Sequence, residues 1–276
     1  MHFVNDSRPW TDGVEHDLSI VDVMKSDTIS ALPAAMLWWT LERGASLLTA
    51  GGPQGAGKST LANALLPFLP SEARVYVVSG RDDVLTLPAG NGPMYLLISE
   101  FSRHGRPTYL SGPTAQRAFA LLRHGPRMVG TMHADSVREA VDSLRHEFEL
   151  PVHDIARITL VVITRITRGA FQRGPVSTAS PDIERRVVEI GLLSRGDDGV
   201  RVASIASWNG ATDRLEVLDP RATGGSLATW AGVEPAEADE AIRVRAHMLT
   251  DLLHEGRRAP DDIATAVRRF REQPST

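Results

Sequence analysis

A glycine-rich segment near the start of this chain constrains its fold more than any other part of the sequence. It reads Gly52-Pro53-Gln54-Gly55-Ala56-Gly57-Lys58-Ser59-Thr60 and fits the phosphate-binding pattern G-x-x-x-x-G-K-[ST]. The mostly apolar residues 46–51 predict a buried strand before it, and residues 61–66 predict a helix after it that stops near Pro67. This pattern binds phosphate when it lies between a strand and a helix. The sequence therefore predicts a nucleoside triphosphate site rather than a glycine-rich turn with a chance lysine.

The chemistry of such a loop assigns roles to individual residues. Its glycines let backbone N–H groups turn toward phosphate oxygens, and the following helix presents its positive end to the same anion. We expect Lys58 to contact the β- and γ-phosphates and the Ser59 hydroxyl to bind magnesium. ATP and Mg²⁺ are therefore the expected ligands.

The composition of the chain limits which kinds of protein it can be. A chain of 276 residues with 42% hydrophobic content can bury one substantial core, with at most a small appendage. A formal net charge of −4 gives no global basic field, so we expect no nucleic-acid partner. The absence of cysteine excludes disulfides and thiolate metal sites. The longest near-apolar run, 32–41, is too short to span a membrane, and the first residues do not resemble a signal peptide, so we expect a soluble, cytoplasmic protein.

Strand and helix patterns alternate after the loop, which predicts an α/β fold with a parallel sheet. The strands are expected at 74–79, 93–100, 127–132 and 158–166, and the helices at 113–123 and 136–148. A loop at 174–181 and an antiparallel meander are expected next, with strands at 186–193, 200–207 and 214–218. Two helices, 235–255 and 260–272, close the chain. We divide the chain into a flexible tail (1–17), an α/β core (18–230) and a helical subdomain (231–276).

A further helix is expected before the phosphate loop, over residues 30–41, with Gly44 beyond its C-terminal end. It carries Trp38 and Trp39, which we assign to packing in the core or at a domain interface rather than to stacking on a nucleotide.

Several polar residues follow strands of the predicted sheet. In parallel sheets ligands bind beyond the C-terminal ends of the strands. Glu100 ends a continuously apolar strand, which favours a role in activating water over that of a surface carboxylate. Asp82 and Asp83 follow the strand 74–79 and are either magnesium ligands through water or ordinary turn residues. His133 ends the strand 127–132, and spacing alone favours a structural role for it.

Several of these segments resemble the type II/IV secretion ATPases, the hexameric motors of pili, archaella and secretion filaments. The similar segments are the histidine box (131–136 with 139–144), the Walker B strand (93–100), the archaeal-type segment 29–69 and the C-terminal patterns 185–190 and 243–253. The resemblance covers about residues 18 to 272. It implies a RecA-like P-loop NTPase with a mainly parallel sheet, an antiparallel meander and a C-terminal helical section. It also implies that Glu100 activates water and that His133 senses the γ-phosphate of ATP.

The resemblance implies partners as well. Such motors form hexameric rings and act on an integral membrane platform protein, which would bring this chain to the inner face of the membrane. Members of the family carry an N-terminal domain that supplies arginines to the site. Little precedes the first helix here, so we expect that domain either to be absent or to come from a separate chain.

The sequence also departs from the family pattern. Gly80-Arg81 occupies the place of an acidic pair, Ser99 replaces the glycine before Glu100, and Ser102 replaces an arginine. Three functions are therefore compatible with the sequence: a motor ATPase, a weakly hydrolysing nucleotide-binding subunit of such a ring, and a small-molecule or nucleotide kinase. The kinase is the least favoured, because no substrate lid is evident between the motifs.

Overall fold

The computed structural model describes residues 2–3, 18–52, 54–78, 91–103, 107–168, 183–197 and 199–272. Of the predicted site residues, Pro53, Asp82 and Asp83 lie outside this described part, as does the predicted loop 174–181. Within it, no helix is long and apolar enough to cross a membrane.

A single sheet forms the centre of the fold. Its nine strands are β1 (His2–Phe3), β2 (Leu47–Ala50), β3 (Arg74–Val78), β4 (Met94–Phe101), β5 (Arg127–Met132), β6 (Leu160–Arg168), β7 (Glu184–Arg195), β8 (Val200–Asn209) and β9 (Arg214–Val217). The helices are α1 (Ile20–Lys25), α2 (Ala31–Glu42), α3 (Lys58–Leu65), α4 (Gly112–Leu122), α5 (Val137–His146), α6 (Val152–Ile155), α7 (Pro220–Ala231), α8 (Pro235–His254) and α9 (Pro260–Glu272).

The strand order is β1-β3-β4-β5-β2-β6-β7-β8-β9. Strands β3, β4, β5, β2 and β6 run parallel, whereas β6 to β9 pair antiparallel, as does β1 with β3. The predicted fold class is confirmed: a mainly parallel sheet with an antiparallel meander and helices at the C-terminal end of the chain. Strand β5 lies between β2, which leads into the phosphate loop, and β4, which carries Glu100. This order determines which residues meet at the edge formed by the C-terminal ends of the parallel strands.

Alternate residues of the parallel strands pack on opposite faces of the sheet, as strand geometry requires. Leu97 of β4 belongs to a hydrophobic cluster with α1, α2, α3 and the C-terminal helices, whereas Leu96 and Ile98 belong to a second cluster with α4 and α5. Helices therefore cover both faces, which explains why β4 is an almost continuous apolar run.

The helix before the phosphate loop forms as predicted. It is α2, which follows Ser30 as its N-cap residue, and Gly44 beyond its end adopts a φ of 86°. Trp38 and Trp39 are fully buried, and Trp38 stacks on Phe68 with ring centroids 4.8 Å apart. The two tryptophans are therefore core residues, as expected.

Helix α7 was not predicted. Asp219 caps it by accepting a hydrogen bond from the Ala222 N–H at 3.2 Å, but Gly224 and Gly225 in its interior weaken the helical pattern of the sequence. Helices α7, α8 and α9 share a hydrophobic cluster with α2 and the sheet. The division into a core and a helical subdomain at residue 231 stays a prediction.

A partly buried cluster of charged side chains joins the C-terminal helices to α2. The Glu42 carboxylate accepts hydrogen bonds from Arg245 of α8, at 3.2 and 2.5 Å, and from Arg271 of α9. Burial alone would raise the pKa of Glu42, but the two arginines outweigh it, so the pKa lies below its usual value. The cluster therefore depends on all three side chains.

We expect Glu42→Ala to lower the free energy of unfolding by about 2 kcal/mol, because both guanidinium groups would lose their carboxylate. This is less than the ~3–5 kcal/mol for fully buried pairs, since the cluster is partly exposed. Urea unfolding followed by circular dichroism measures it. Glu240→Ala, which breaks an exposed pair with Arg243 on α8, is the matched control. An equal loss of stability in the two variants would contradict a stabilising role for the Glu42 cluster.

Candidate nucleotide-binding site

Two glycines determine the backbone conformation of the loop 52–60 just before α3. Gly55 and Gly57 adopt φ angles of 84° and 94°, in the left-handed region that glycine occupies at little cost. Gly57 is the N-cap residue of α3, so the free N–H groups of the first turn of this helix face the loop. Ser59 and Thr60 lie half-buried in that turn. The loop and helix together fit an anion such as a phosphate group.

The remaining loop residues differ in exposure. Gln54 is exposed, whereas Ala56 is fully buried. Gly52 leaves no room for a side chain, because a Cβ there would lie 2.3 Å from Oδ1 of Asp135.

Lys58 is a buried cation at the start of α3. The residue is only 6% exposed, and its Nζ donates a hydrogen bond to the Gly51 carbonyl at 3.3 Å. Burial lowers the pKa of Lys58, and the charges of Glu100 and Asp135 oppose that shift. Among the described residues Lys58 forms no ion pair, and a buried charge without a partner is costly. The site is therefore ready for an anionic ligand.

Glu100 and His133 meet at the edge of the sheet where the phosphate loop lies. Oε1 of Glu100 is 3.1 Å from Nε2 of His133, and Nδ1 of His133 is 2.6 Å from the Gly52 carbonyl oxygen. Both partners of the ring are hydrogen-bond acceptors, and a neutral imidazole has only one N–H. The geometry therefore fits a protonated ring. The hydrogen bond to Glu100 raises the pKa of His133, against the opposing effects of burial and of the Lys58 charge.

We expect NMR titration to give His133 a pKa above its ordinary value of 6.5, and Glu100→Gln to bring that pKa down. A raised pKa in the folded state stabilises the fold below about pH 6.5, and this contribution is lost as pH rises through the folded-state pKa. His133→Ala should therefore cost more stability near pH 6 than near pH 9. Equal costs at the two pH values would contradict the protonated pair.

Asp135, which no sequence motif singled out as a site residue, holds the first glycine of the loop. Its Oδ1 accepts a hydrogen bond from the Gly52 N–H at 3.1 Å, and its carbonyl accepts one from Arg165 at 3.1 Å. Its own N–H donates to Glu139 at 2.7 Å, while Ser136 caps α5. The segment 133–135 therefore binds both the carbonyl and the N–H of Gly52. The signal in the sequence was the glycine itself, since no larger residue fits beside Asp135.

Few of the described protein groups are placed to bind magnesium. The described residues contain no cluster of three or more His, Asp or Glu side chains that could hold a metal ion. Magnesium in nucleotide sites usually takes one or two protein ligands and completes its shell with phosphate oxygens and water. Ser59, in the first turn of α3, is placed for such a role.

Structural similarity, rather than sequence similarity, relates this chain to known proteins. No protein-family model matches the chain, and no curated protein matches it. Among solved structures, the chain is similar to the VirB11 ATPase of the Brucella suis type IV secretion system, in complex with sulphate, at 15% sequence identity and a TM-score of 0.34. The match covers 70% of this chain and 53% of that chain, so this chain spans about half the length of the VirB11 structure.

Proposed function

We propose that this protein binds ATP with Mg²⁺ at the loop 52–60 and hydrolyses it as a subunit of a type II/IV secretion-type motor. The observation that supports this most directly is the series of contacts from the Gly52 carbonyl through the His133 ring to Glu100. These contacts connect the loop that would bind phosphate to the carboxylate that would activate water.

In this proposal the first-turn N–H groups of α3 and the Lys58 ammonium bind the phosphate oxygens. Magnesium supplies further neutralisation of the phosphate charge. Glu100 orients a water molecule and accepts its proton as the water oxygen bonds to the γ-phosphorus, and the bond from that phosphorus to the ADP oxygen breaks. His133, released from Glu100, turns an N–H to the γ-phosphate.

The Glu100–His133 pair also supports a second candidate, a ring subunit that binds ATP and barely hydrolyses it. Glu100 is only 12% exposed at its side chain, and His133 occupies one of its oxygens. Hydrolysis requires this pair to separate, so a chain in which it stays closed would bind without turnover. A kinase remains the third candidate, and transfer of phosphate to an added acceptor would favour it.

The assembly is part of the proposal as well. The sequence resemblance motivates a hexameric ring, a membrane platform protein as partner, and a cytoplasmic location at the inner face of the membrane.

One measurement separates these candidates. Light scattering with and without ATP and Mg²⁺ gives the molecular mass, and phosphate release is followed on the same sample. The motor predicts a hexameric mass, from chains of 30.0 kDa, together with turnover. A ring without turnover would favour the binding subunit. A monomer that hydrolyses ATP at full rate would contradict the ring, and a monomer that neither binds nor hydrolyses ATP would contradict the whole proposal.

A further inference from the structure

Arg185 lies against the phosphate loop from a strand that the loop motif does not include. It is near the start of β7 and pairs with Ile166 at the C-terminal end of β6, the neighbour of β2. Its Nε donates a hydrogen bond to the Gly55 carbonyl at 2.7 Å. A Cβ added at Gly57 would lie 3.2 Å from its Cδ. The side chain therefore runs along the loop beside Gly55 and Gly57.

The charge of Arg185 has no counterpart in the described part of the chain. No carboxylate there forms an ion pair with it, and Nε is the one guanidinium nitrogen that has a hydrogen-bond partner there. Burial lowers the pKa of its guanidinium, with no nearby negative charge to oppose the effect. The next residue, Arg186, shows the usual arrangement: its guanidinium binds both oxygens of Asp213, at 3.0 and 2.7 Å. Arg185 is thus a half-buried cation without an anion.

We propose that Arg185 binds the phosphates of the nucleotide from within the same chain. Its Nε stays on the Gly55 carbonyl, and the two terminal nitrogens pair with phosphate oxygens. Arginine suits this role because its planar guanidinium matches the geometry of a phosphate group and stays charged. The inference rests on the proposed function and assigns the site a positive group in addition to Lys58 and the start of α3.

The position of Arg185 explains how one side chain would both bind phosphate and hold the loop in its conformation. The bond to Gly55 fixes the guanidinium beside the loop, so little conformational freedom is lost when phosphate binds. The same bond ties β7 to the loop and would hold the loop in the conformation that its two glycines adopt. Arg185 would therefore be a binding residue rather than a group recruited from a neighbouring subunit.

The test uses the full chain and three variants, Arg185→Ala, Arg185→Gln and Arg185→Lys. Calorimetry measures the affinity for ATP with Mg²⁺, and tripolyphosphate, which lacks base and sugar, serves as the second probe. Arg185→Ala should weaken both by about 10- to 100-fold, as the loss of a hydrogen bond to a charged group does. Arg185→Lys should keep more affinity than Arg185→Gln, because the charge carries the effect and glutamine supplies only a hydrogen-bond donor.

The control is Arg195→Ala, which removes the same charge from the exposed end of the same strand and should leave both affinities unchanged. Thermal unfolding of every variant verifies that it is folded. If Arg185→Ala weakens ATP but not tripolyphosphate, the side chain contacts the base or the sugar, and the inference is wrong. Unchanged affinity for both probes overturns it too. If the wild-type chain binds neither probe, or binds them independently of Lys58, the proposed function itself fails.

Discussion

Replacing Glu100 with glutamine should abolish ATP turnover and leave ATP binding intact. Glutamine has the same shape, and its carbonyl oxygen can still face His133. In the present structure Nε2 of His133 lies 3.1 Å from the Glu100 carboxylate oxygen. It cannot accept a proton from water, and loss of a general base typically costs ~10²–10⁴ in rate. Phosphate release measured at saturating ATP, together with the affinity for ATP by calorimetry, gives both quantities.

The control for Glu100→Gln is the same substitution at a carboxylate outside the site. Glu240→Gln on the exposed surface of α8 makes the same chemical change and should leave turnover at the wild-type rate. Turnover of Glu100→Gln within about twofold of the wild type would remove Glu100 from the chemistry, since general-base roles exceed that effect by far. Loss of ATP binding in this variant would instead give Glu100 a role in holding the ligand.

Local patterns in the sequence were sufficient to predict most elements of the fold. The apolar run that forms β4 is buried on both faces, and such a run is typical of a central parallel strand. The spacing of the phosphate loop fixes where β2 ends and α3 begins, because the glycines must adopt left-handed conformations there. These features depend on residues that are close in sequence.

The contacts within the site depend on strand order, which the sequence did not specify. Strand β5 lies between β2 and β4, so His133 at its end reaches both the Gly52 carbonyl and Glu100. The sequence predicted that these residues share one edge of the sheet, but not that the histidine joins the loop to the carboxylate. Arg185 was noticed only as part of a C-terminal pattern, since its contact with Gly55 spans 130 residues of chain.

These contacts also show where the site departs from what stability alone would favour. Lys58 and Arg185 are cations that burial disfavours, and neither has a carboxylate partner among the described residues. Other described residues pair their partly buried charges, as in the cluster of Glu42 with Arg245 and Arg271. The buried Lys58 and the half-buried Arg185, neither paired with a carboxylate among the described residues, are therefore the feature of this sheet edge that a bound anion would explain.

Lys58→Met should weaken ATP binding at least ~100-fold and still leave the ligand-free protein as stable as the wild type, or more stable. Methionine fills a similar volume without a charge, and replacing a buried charge by an apolar group of similar size is often neutral or stabilising. The expected gain is about 1 kcal/mol, or roughly 2–4 °C in melting temperature for a chain of this size. Calorimetry with ATP and Mg²⁺ and thermal unfolding without nucleotide measure the two effects.

The two effects must occur together for the interpretation to hold. Lys25→Met removes an exposed lysine, whose charge burial does not disfavour, from the end of α1 and should change neither quantity beyond about 0.5 kcal/mol. If Lys58→Met lowered stability by several kcal/mol without nucleotide, the ammonium would be a structural group held by Gly51, Glu100 and Asp135. If ATP affinity survived the substitution, the loop would not bind phosphate through Lys58. Loss of binding with stability retained is the result expected of a charge that is kept for its ligand.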